Sequence, residues 1–164
     1  MKRSHLPFLI GLVSLFGACN GGTGTDLSAE HRGAMRDSVL AFIEEIPELL
    51  AQDGPAAWLG FFDGTPAFFM ASDGQTAFPT RDSAEILLAN FSPTVANMEL
   101  VWEDLRIEPL APGVATVATP YREKIVFTDG TAVAFGGYVS GVARNNAGSW
   151  TLQHLHWSSP VAPG

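Results

Sequence analysis

The sequence predicts an α+β fold in which about three helices pack against a mostly antiparallel sheet. Apolar residues recur at the three- and four-residue steps of amphipathic helices in the first half of the chain. From Met98 onward the sequence is typical of strands, and turn sequences rich in Gly, Asn and Asp separate them. An element order in which helices come first and a long antiparallel sheet follows is typical of α+β domains.

The size and composition of the chain indicate one globular domain behind a removable leader. Its 164 residues, of which 46% are hydrophobic and 16% charged, are enough for one substantial core. A basic start over residues 1–3 precedes an apolar run over 6–16, which is too short for a membrane-spanning helix of about 20 residues. We therefore predict a secretory signal peptide over residues 1–18.

The single cysteine, Cys19, follows this leader directly. The segment 15–19 (LFGAC) resembles the lipobox of bacterial lipoproteins, in which the cysteine is acylated and becomes the first residue of the mature chain. Ordinary signal-peptidase cleavage after Ala18 is the alternative. In many Gram-negative bacteria an Asp after the lipidated cysteine favours retention in the inner membrane, so Asn20 at this position favours the outer membrane. The prediction is an acylated Cys19 with a flexible tether over 19–27, a domain over 28–160, and a lipid-anchored position facing the periplasm.

The charge balance excludes some classes of partner. Removal of residues 1–18 leaves seven basic and 17 acidic residues, a net charge of −10. This balance argues against binding to nucleic acid and against electrostatic adhesion to anionic lipid. The lipid on Cys19 would then provide the link to the membrane.

Three helices are predicted from capping residues and periodicity. Ser28 is a suitable N-cap for the first, and Pro47 should kink this helix or start a second one, because proline cannot donate to the carbonyl four residues back. A short helix rich in aromatic residues follows over 56–62, and Thr80 caps the third. The apolar positions of the first helix are Met35, Val39, Phe42, Ile43, Ile46 and Leu50.

The predicted strands begin with a hairpin, 67–71 and 75–78, around a turn at residues 72–74. Four long strands complete the sheet, over 98–107, 114–128, 131–144 and 149–158.

The element order and the last strand together point to a family. Residues 148–158 (GSWTLQHLHWS) resemble the G-x-W-x-x-x-H-x-H-x-S ending of SnoaL-like members of the nuclear transport factor 2-like superfamily. They are also similar to the association domain of calcium/calmodulin-dependent protein kinase, and residues 136–144 suit the penultimate strand of both. The resemblance implies a cone-shaped domain in which a curved sheet wraps the first helix, with a pocket at the wide end and frequent dimerisation. It does not fix the activity, because this fold hosts isomerases, dehydratases, cyclases, binding domains and assembly hubs.

Two histidines of the last strand are the leading candidates for catalysis. Strand alternation places His154 and His156 on one face with Leu152, where they would form the polar floor of a pocket. Imidazoles can act as general acid or base near neutral pH. The alternative is a structural role in closing the sheet. Because no further ligands stand at recognisable spacing, we predict neither a metal nor a cofactor.

An isomerase of this kind would also need a carboxylate base and a hydroxyl donor. The only tyrosines are Tyr138, which is a third catalytic candidate, and Tyr121. Glu103, Asp104 and Glu123 lie on predicted strands, but the sequence does not show which of them faces inward, and exposed ion pairs are the alternative.

Aromatic residues mark the predicted pocket wall, although many of them could simply be core. The ligand-binding candidates are Trp58, Phe62, Phe69, Trp102 and Tyr121.

The first functional hypothesis is a lipid-anchored, non-catalytic domain that binds a small apolar organic molecule. The second is a general acid–base enzyme of the isomerase, dehydratase or cyclase type. The third is a dimerisation or scaffold module, suggested by the apolar side chains of Leu155 and Trp157 on the other face of the last strand. We expect a homodimer.

Overall fold

The computed structural model describes residues 27–160; the predicted leader, Cys19 and most of the tether lie outside the described residues. The helices are α1 (Ala29–Asp53), α2 (Trp58–Phe61) and α3 (Arg81–Phe91), with short 3₁₀ turns at Pro55–Ala57 and Ser92–Thr94. Within residues 27–160 no helix combines the length and the apolarity needed to cross a bilayer.

Helix α1 runs through Pro47 without ending, so the second helix that was one predicted outcome does not begin there; a kink at Pro47 stays a prediction. Proline at this position leaves the carbonyl of Ile43, four residues back, without its helical donor. The indole Nε1 of Trp102 donates a hydrogen bond to that carbonyl at 3.0 Å. A side chain from the sheet therefore satisfies the group that Pro47 leaves free, and the helix continues to Asp53.

Seven strands form one mixed, curved sheet, which confirms the predicted fold class. The strands are β1 (Phe69–Ser72), β2 (Gln75–Phe78), β3 (Val95–Trp102), β4 (Arg106–Ala111), β5 (Val114–Phe127), β6 (Ala132–Asn146) and β7 (Ser149–Ser158). Their order is β2-β1-β7-β6-β5-β3, with β4 also paired to β5. The β1–β7 pair is parallel and the others are antiparallel.

The strand predicted over 98–107 is two strands, and this prediction was wrong. Strand β3 pairs with the second half of β5 as far as Trp102–Tyr121, and β4 pairs with the first half from Arg106–Ala118. Because the chain leaves the sheet at residues 103–105, β5 pairs first with β4 and then, further along its length, with β3. The inner face of the sheet packs against buried positions of α1 and α3, and its core residues include Met98, Leu100, Ile107, Val117, Ile125 and Val139.

A one-residue bulge interrupts β7 and decides which of its side chains enter the core. Val142 pairs with His154, and Ala143 pairs with Leu152, so Gln153 is an extra residue in the ladder. The alternation of faces therefore reverses across Gln153. Leu152 shares the core face with Leu155 and Trp157, with exposed fractions of 3%, 5% and 8%.

A buried carboxylate holds this bulge in place. The backbone N–H of Asp63 donates to the carbonyl of Leu152 at 2.9 Å, and the carboxylate of Asp63 accepts hydrogen bonds from Thr65 N at 2.7 Å and Gln153 Nε2 at 3.4 Å. Burial would raise the pKa of Asp63, but the hydrogen bonds donated by Thr65, Asn146 and Gln153 outweigh it and hold the pKa below its usual value. Asp63 thus joins the loop after α2 to the irregular point of β7.

Candidate ligand-binding site

A cavity of about 300 Å³ opens between α3, the α1–α2 connection, the β1–β2 hairpin and the inner face of the sheet. Aromatic side chains form much of its wall: Trp58, Phe62, Phe78, Phe91, Tyr121, Phe135 and Trp157. The polar residues of the lining are Ser72, Asp73, Glu123 and Ser159, together with the hydroxyl of Tyr121, and none of the lining residues in the described part of the chain is basic. The site is therefore apolar with a few acidic and hydroxyl groups.

The aromatic wall is built by packing between helix and sheet. Trp58 of α2 stacks on Phe62 with ring centroids 5.7 Å apart, and it meets the ring of Trp157 edge-on at 5.8 Å. Trp157 in turn contacts Tyr121 edge-on at 4.5 Å. Edge-to-face and offset contacts of this kind stabilise aromatic clusters beyond their burial, so these rings form a fixed wall.

Glu123 is the carboxylate that strand alternation directs into this cavity. It lies on the inner face of β5 between Tyr121 and Ile125, which are both buried, and its neighbours across the sheet are Leu100 and Phe135. Among residues 27–160 its carboxylate takes part in none of the hydrogen bonds or ion pairs. Burial raises the pKa of Glu123 to about 7. The cavity thus contains one acid that changes charge near neutral pH.

Tyr121 supplies a hydroxyl on the same face, two residues away along the strand. Burial, with added effects of the negative charges of Glu123 and Asp73, raises its pKa, so the phenol stays protonated near neutral pH. Successive same-face positions on a strand are about 7 Å apart. A molecule in the cavity could therefore reach both Glu123 and Tyr121.

The second acid of the lining, Asp73, is occupied by structural hydrogen bonds. Its backbone has φ +48° in the β1–β2 turn, and its carboxylate accepts from Ser159 N at 2.6 Å. Its own N–H donates to the carbonyl of Trp157 at 3.0 Å. Asp73 therefore links the end of β7 to the hairpin by hydrogen bonds, whereas the carboxylate of Glu123 makes none with the described residues.

The buried Nε1 of Trp157 has no hydrogen-bond partner within the described part of the chain.

Comparison with solved structures decides the fold. A nuclear transport factor 2-like superfamily protein from Salmonella enterica serovar Typhimurium superimposes with a TM-score of 0.66 at 16% identity, over 80% of this chain and 95% of that one. The chain has the nuclear transport factor 2-like fold. No protein-family model and no curated protein matches it.

Two further structures share the nuclear transport factor 2-like fold with this chain. A scytalone dehydratase-like protein from Novosphingobium aromaticivorans has a TM-score of 0.65 at 11% identity, over 75% of this chain and 82% of that one. A protein from Xanthomonas campestris that is similar to the calcium/calmodulin-dependent protein kinase II association domain has a TM-score of 0.62 at 16% identity. The match covers 75% of this chain and 86% of that one. At such identities the comparison establishes the fold and leaves the activity open.

Within this nuclear transport factor 2-like fold, the predicted ligand-binding residues separate into two groups. Trp58, Phe62 and Tyr121 line the cavity. Trp102 does not line the cavity. Its indole Nε1 donates a hydrogen bond to the carbonyl of Ile43 in α1. Phe69 lies on the outer face of the sheet, where it is 39% exposed and meets the ring of His154 edge-on. A role in ligand binding remains a prediction for the three cavity residues.

The predicted catalytic residues His154, His156 and Tyr138 do not line the cavity. Both histidines are exposed on the outer face, opposite Val142 and Ser140 of β6, and Tyr138 is 41% exposed on the same face. The predicted histidine floor is therefore wrong. The physical reason is the bulge at Gln153, which reverses the alternation before His154 is reached.

The sequence leaves open whether the side chain of Glu123 faces into the pocket. A usable signal was present, because residues 117, 119, 121 and 125 are uncharged and Arg122 and Lys124 flank Glu123 on the opposite face. These two basic residues form ion pairs outside the cavity, Arg122 with Glu103 at 2.6 Å and Lys124 with Glu99 at 3.9 Å. Within residues 27–160 no three His, Cys, Asp or Glu side chains are grouped to hold a metal ion.

Proposed function

We propose that the protein binds a small, largely apolar organic molecule in the cavity between α3 and the sheet. The observation that carries this proposal is an aromatic-walled cavity of about 300 Å³ with few polar groups in its lining. Concave sites with apolar walls and a small number of polar groups are typical of small-molecule binding. Leu87 of α3 lies at the mouth, since it lines the cavity and is 48% exposed.

A ligand screen by thermal unfolding tests the proposal. A compound that binds the folded protein at 100 times its Kd raises the free energy of unfolding by about 2.7 kcal/mol. We expect Leu87→Trp, which narrows the mouth, to abolish the shift in melting temperature. His156→Ala, on the outer face, should leave the shift unchanged. Equal shifts in both variants would place binding outside the cavity and contradict the proposal.

A second candidate function is general acid–base catalysis, and the specific observation that favours it is the pair formed by Glu123 and Tyr121. A carboxylate with a pKa of about 7 can take up and return a proton near neutral pH. The protonated hydroxyl of Tyr121 could stabilise the negative charge that develops on a substrate oxygen. An isomerase or dehydratase would require this combination.

Product analysis of the compounds that bind separates catalysis from binding. If Glu123 acts as the base, Glu123→Gln should lower kcat at least about 100-fold while the compound still binds. The matched control is Glu45→Gln, which changes an exposed carboxylate of α1. Unchanged turnover in the Glu123→Gln variant would exclude a role as the base, and unaltered compounds after incubation with the unmodified protein would favour binding alone.

We further propose that the mature chain is anchored in the outer membrane through a lipid on Cys19 and faces the periplasm. The support is the leader over residues 1–18 and the lipobox-like segment 15–19. Mass spectrometry of the mature N-terminus and the membrane fraction of a Cys19→Ala variant test this placement. A Cys19→Ala protein that stays in the membrane fraction would contradict it.

A homodimer through the outer face of the sheet is also proposed. That face carries small and apolar half-buried side chains at Ala118, Pro120, Ser140 and Val142, next to the exposed ring of Tyr138. Light scattering should give twice the chain mass, and Tyr138→Glu should give a monomer. Leu155 and Trp157 both lie in the core, so they do not form the surface for a scaffold role that the sequence suggests.

A further inference from the structure

The charged residues that line the cavity are all acidic. Both carboxylic acids of the lining, Glu123 and Asp73, can carry negative charge, and among residues 27–160 none that line the cavity can carry a positive one. Arg122 and Lys124 precede and follow Glu123 along β5, but they point to the opposite face and pair with Glu103 and Glu99. The protein therefore supplies no cation to the carboxylate of Glu123 from its own strand.

Within residues 27–160 the other elements packed around Glu123 supply none either. On β3 its cross-strand neighbour is Leu100, and on β6 it is Phe135. Helix α3 contributes to the lining only Leu87, Leu88 and Phe91. Tyr121 and Asp73 are the titratable groups that share the cavity with Glu123, and neither can be positively charged.

A half-buried carboxylate without a counter-ion is costly, because a desolvated charge needs a partner. The remaining wall consists of aromatic faces, which attract cations through the negative face of the ring. A positively charged group in the cavity would meet both needs at once. The acidic surface, with a net charge of −8 for the whole chain, would also draw cations toward the mouth.

We infer that the ligand is an organic amine or quaternary ammonium compound, with its positive nitrogen against Glu123 and its apolar body against the aromatic wall. This inference rests on the proposed binding function and names the chemical class of the ligand. A cavity of about 300 Å³ suits a body of the size of one or two aromatic rings. In this arrangement Glu123 acts as the counter-ion of the ligand.

Three probes that share a phenyl ring as their apolar body test the inference by calorimetry. They are 2-phenylethylamine, benzyltrimethylammonium and the neutral 2-phenylethanol, each titrated into the purified protein at pH 8 and pH 5.5. We expect both cations to bind at least about tenfold more tightly than the alcohol at pH 8, since one ion pair or cation–π contact contributes on the order of 1–2 kcal/mol. The charge of benzyltrimethylammonium does not change with pH. Its expected loss of at least about tenfold in affinity at pH 5.5 would therefore report protonation of Glu123.

Two variants complete the experiment. Glu123→Gln keeps the size of the side chain and should remove the preference for cations while leaving the affinity for the alcohol unchanged. Glu45→Gln, on the exposed surface of α1, should keep the preference. If the alcohol binds as tightly as the cations and Glu123→Gln has no effect, the inference is overturned but the binding function stands. If neither the alcohol nor the cations bind, both fail.

Discussion

Replacing Glu123 with glutamine is expected to stabilise the protein at pH 8 by about 3 kcal/mol and to leave its stability nearly unchanged at pH 4. The reason is that the folded protein holds this carboxyl in an apolar cavity, whereas the unfolded chain exposes it to water. Glutamine has nearly the same shape and carries no charge at any pH. The substitution therefore removes the cost of desolvating a charge.

The direction of the pH effect follows from the pKa shift. The pKa of Glu123 is about 7 in the folded state against 4.5 as its ordinary value. Below pH 4.5 both states are protonated and the group does not weaken folding. Between the two pKa values the unfolded chain binds fewer protons than the folded one, so stability falls as pH rises and reaches its lower limit above about pH 7.

Urea unfolding of the two proteins at pH 4, 6 and 8 measures this effect. The difference between Glu123→Gln and the unmodified protein should grow with pH, while the exposed substitution Glu45→Gln should change stability by less than about 0.5 kcal/mol at every pH. A Glu123→Gln variant that is no more stable at pH 8 would mean that the carboxylate is hydrated or paired in solution, and it would also weaken the argument for a cationic ligand.

Replacing Gly137 with alanine is expected to destabilise the protein by about 3 kcal/mol. Gly137 lies on the inner face of β6 opposite Tyr121, next to the end of β7, where Tyr138 pairs with Ser158. A Cβ atom at Gly137 would overlap the backbone carbonyl of Ser158. Because the obstacle is backbone, β6 and β7 would have to separate at the edge of the cavity.

The matched control is Gly33→Ala in α1. No atom lies within 4 Å of a Cβ built at Gly33, and alanine is favoured over glycine inside a helix by about 1 kcal/mol. The same substitution should therefore stabilise the protein at one position and destabilise it at the other. Denaturant unfolding of both variants measures the contrast, and a Gly137→Ala protein as stable as the parent would contradict the close approach of Ser158 to Gly137.

Local chemistry was sufficient to predict much of this fold. Ser28 and Thr80 cap α1 and α3 as expected, since each side chain accepts a hydrogen bond from the backbone N–H three residues later. The last strand has the predicted bounds, Ser149–Ser158. These features depend on residues close in sequence, which periodicity and capping rules can describe.

The errors arose where a distant residue decides the local structure. At Pro47 the indole of Trp102 replaces the missing helical donor to the carbonyl of Ile43, and at the bulge in β7 the carboxylate of Asp63 accepts a hydrogen bond from Gln153. The same limit applies to the site. The sequence predicts Trp58, Phe62 and Tyr121 for the pocket wall, and all three line the cavity. His154 and His156 lie on the face opposite to the predicted one, and the sequence leaves the direction of the Glu123 side chain open.

The extra residue in β7 has a consequence for how this protein tolerates change along its length. Because Ala143 pairs with Leu152 and Val142 pairs with His154, a chain without Gln153 would continue the ladder without interruption and keep the same inner and outer sets from His154 to Ser158. The imidazoles would stay outside, and Leu155 and Trp157 would stay in the core. A one-residue deletion at the bulge therefore preserves the lining of the cavity, whereas the same deletion at Leu155 would exchange the faces of all residues from His156 to Ser158.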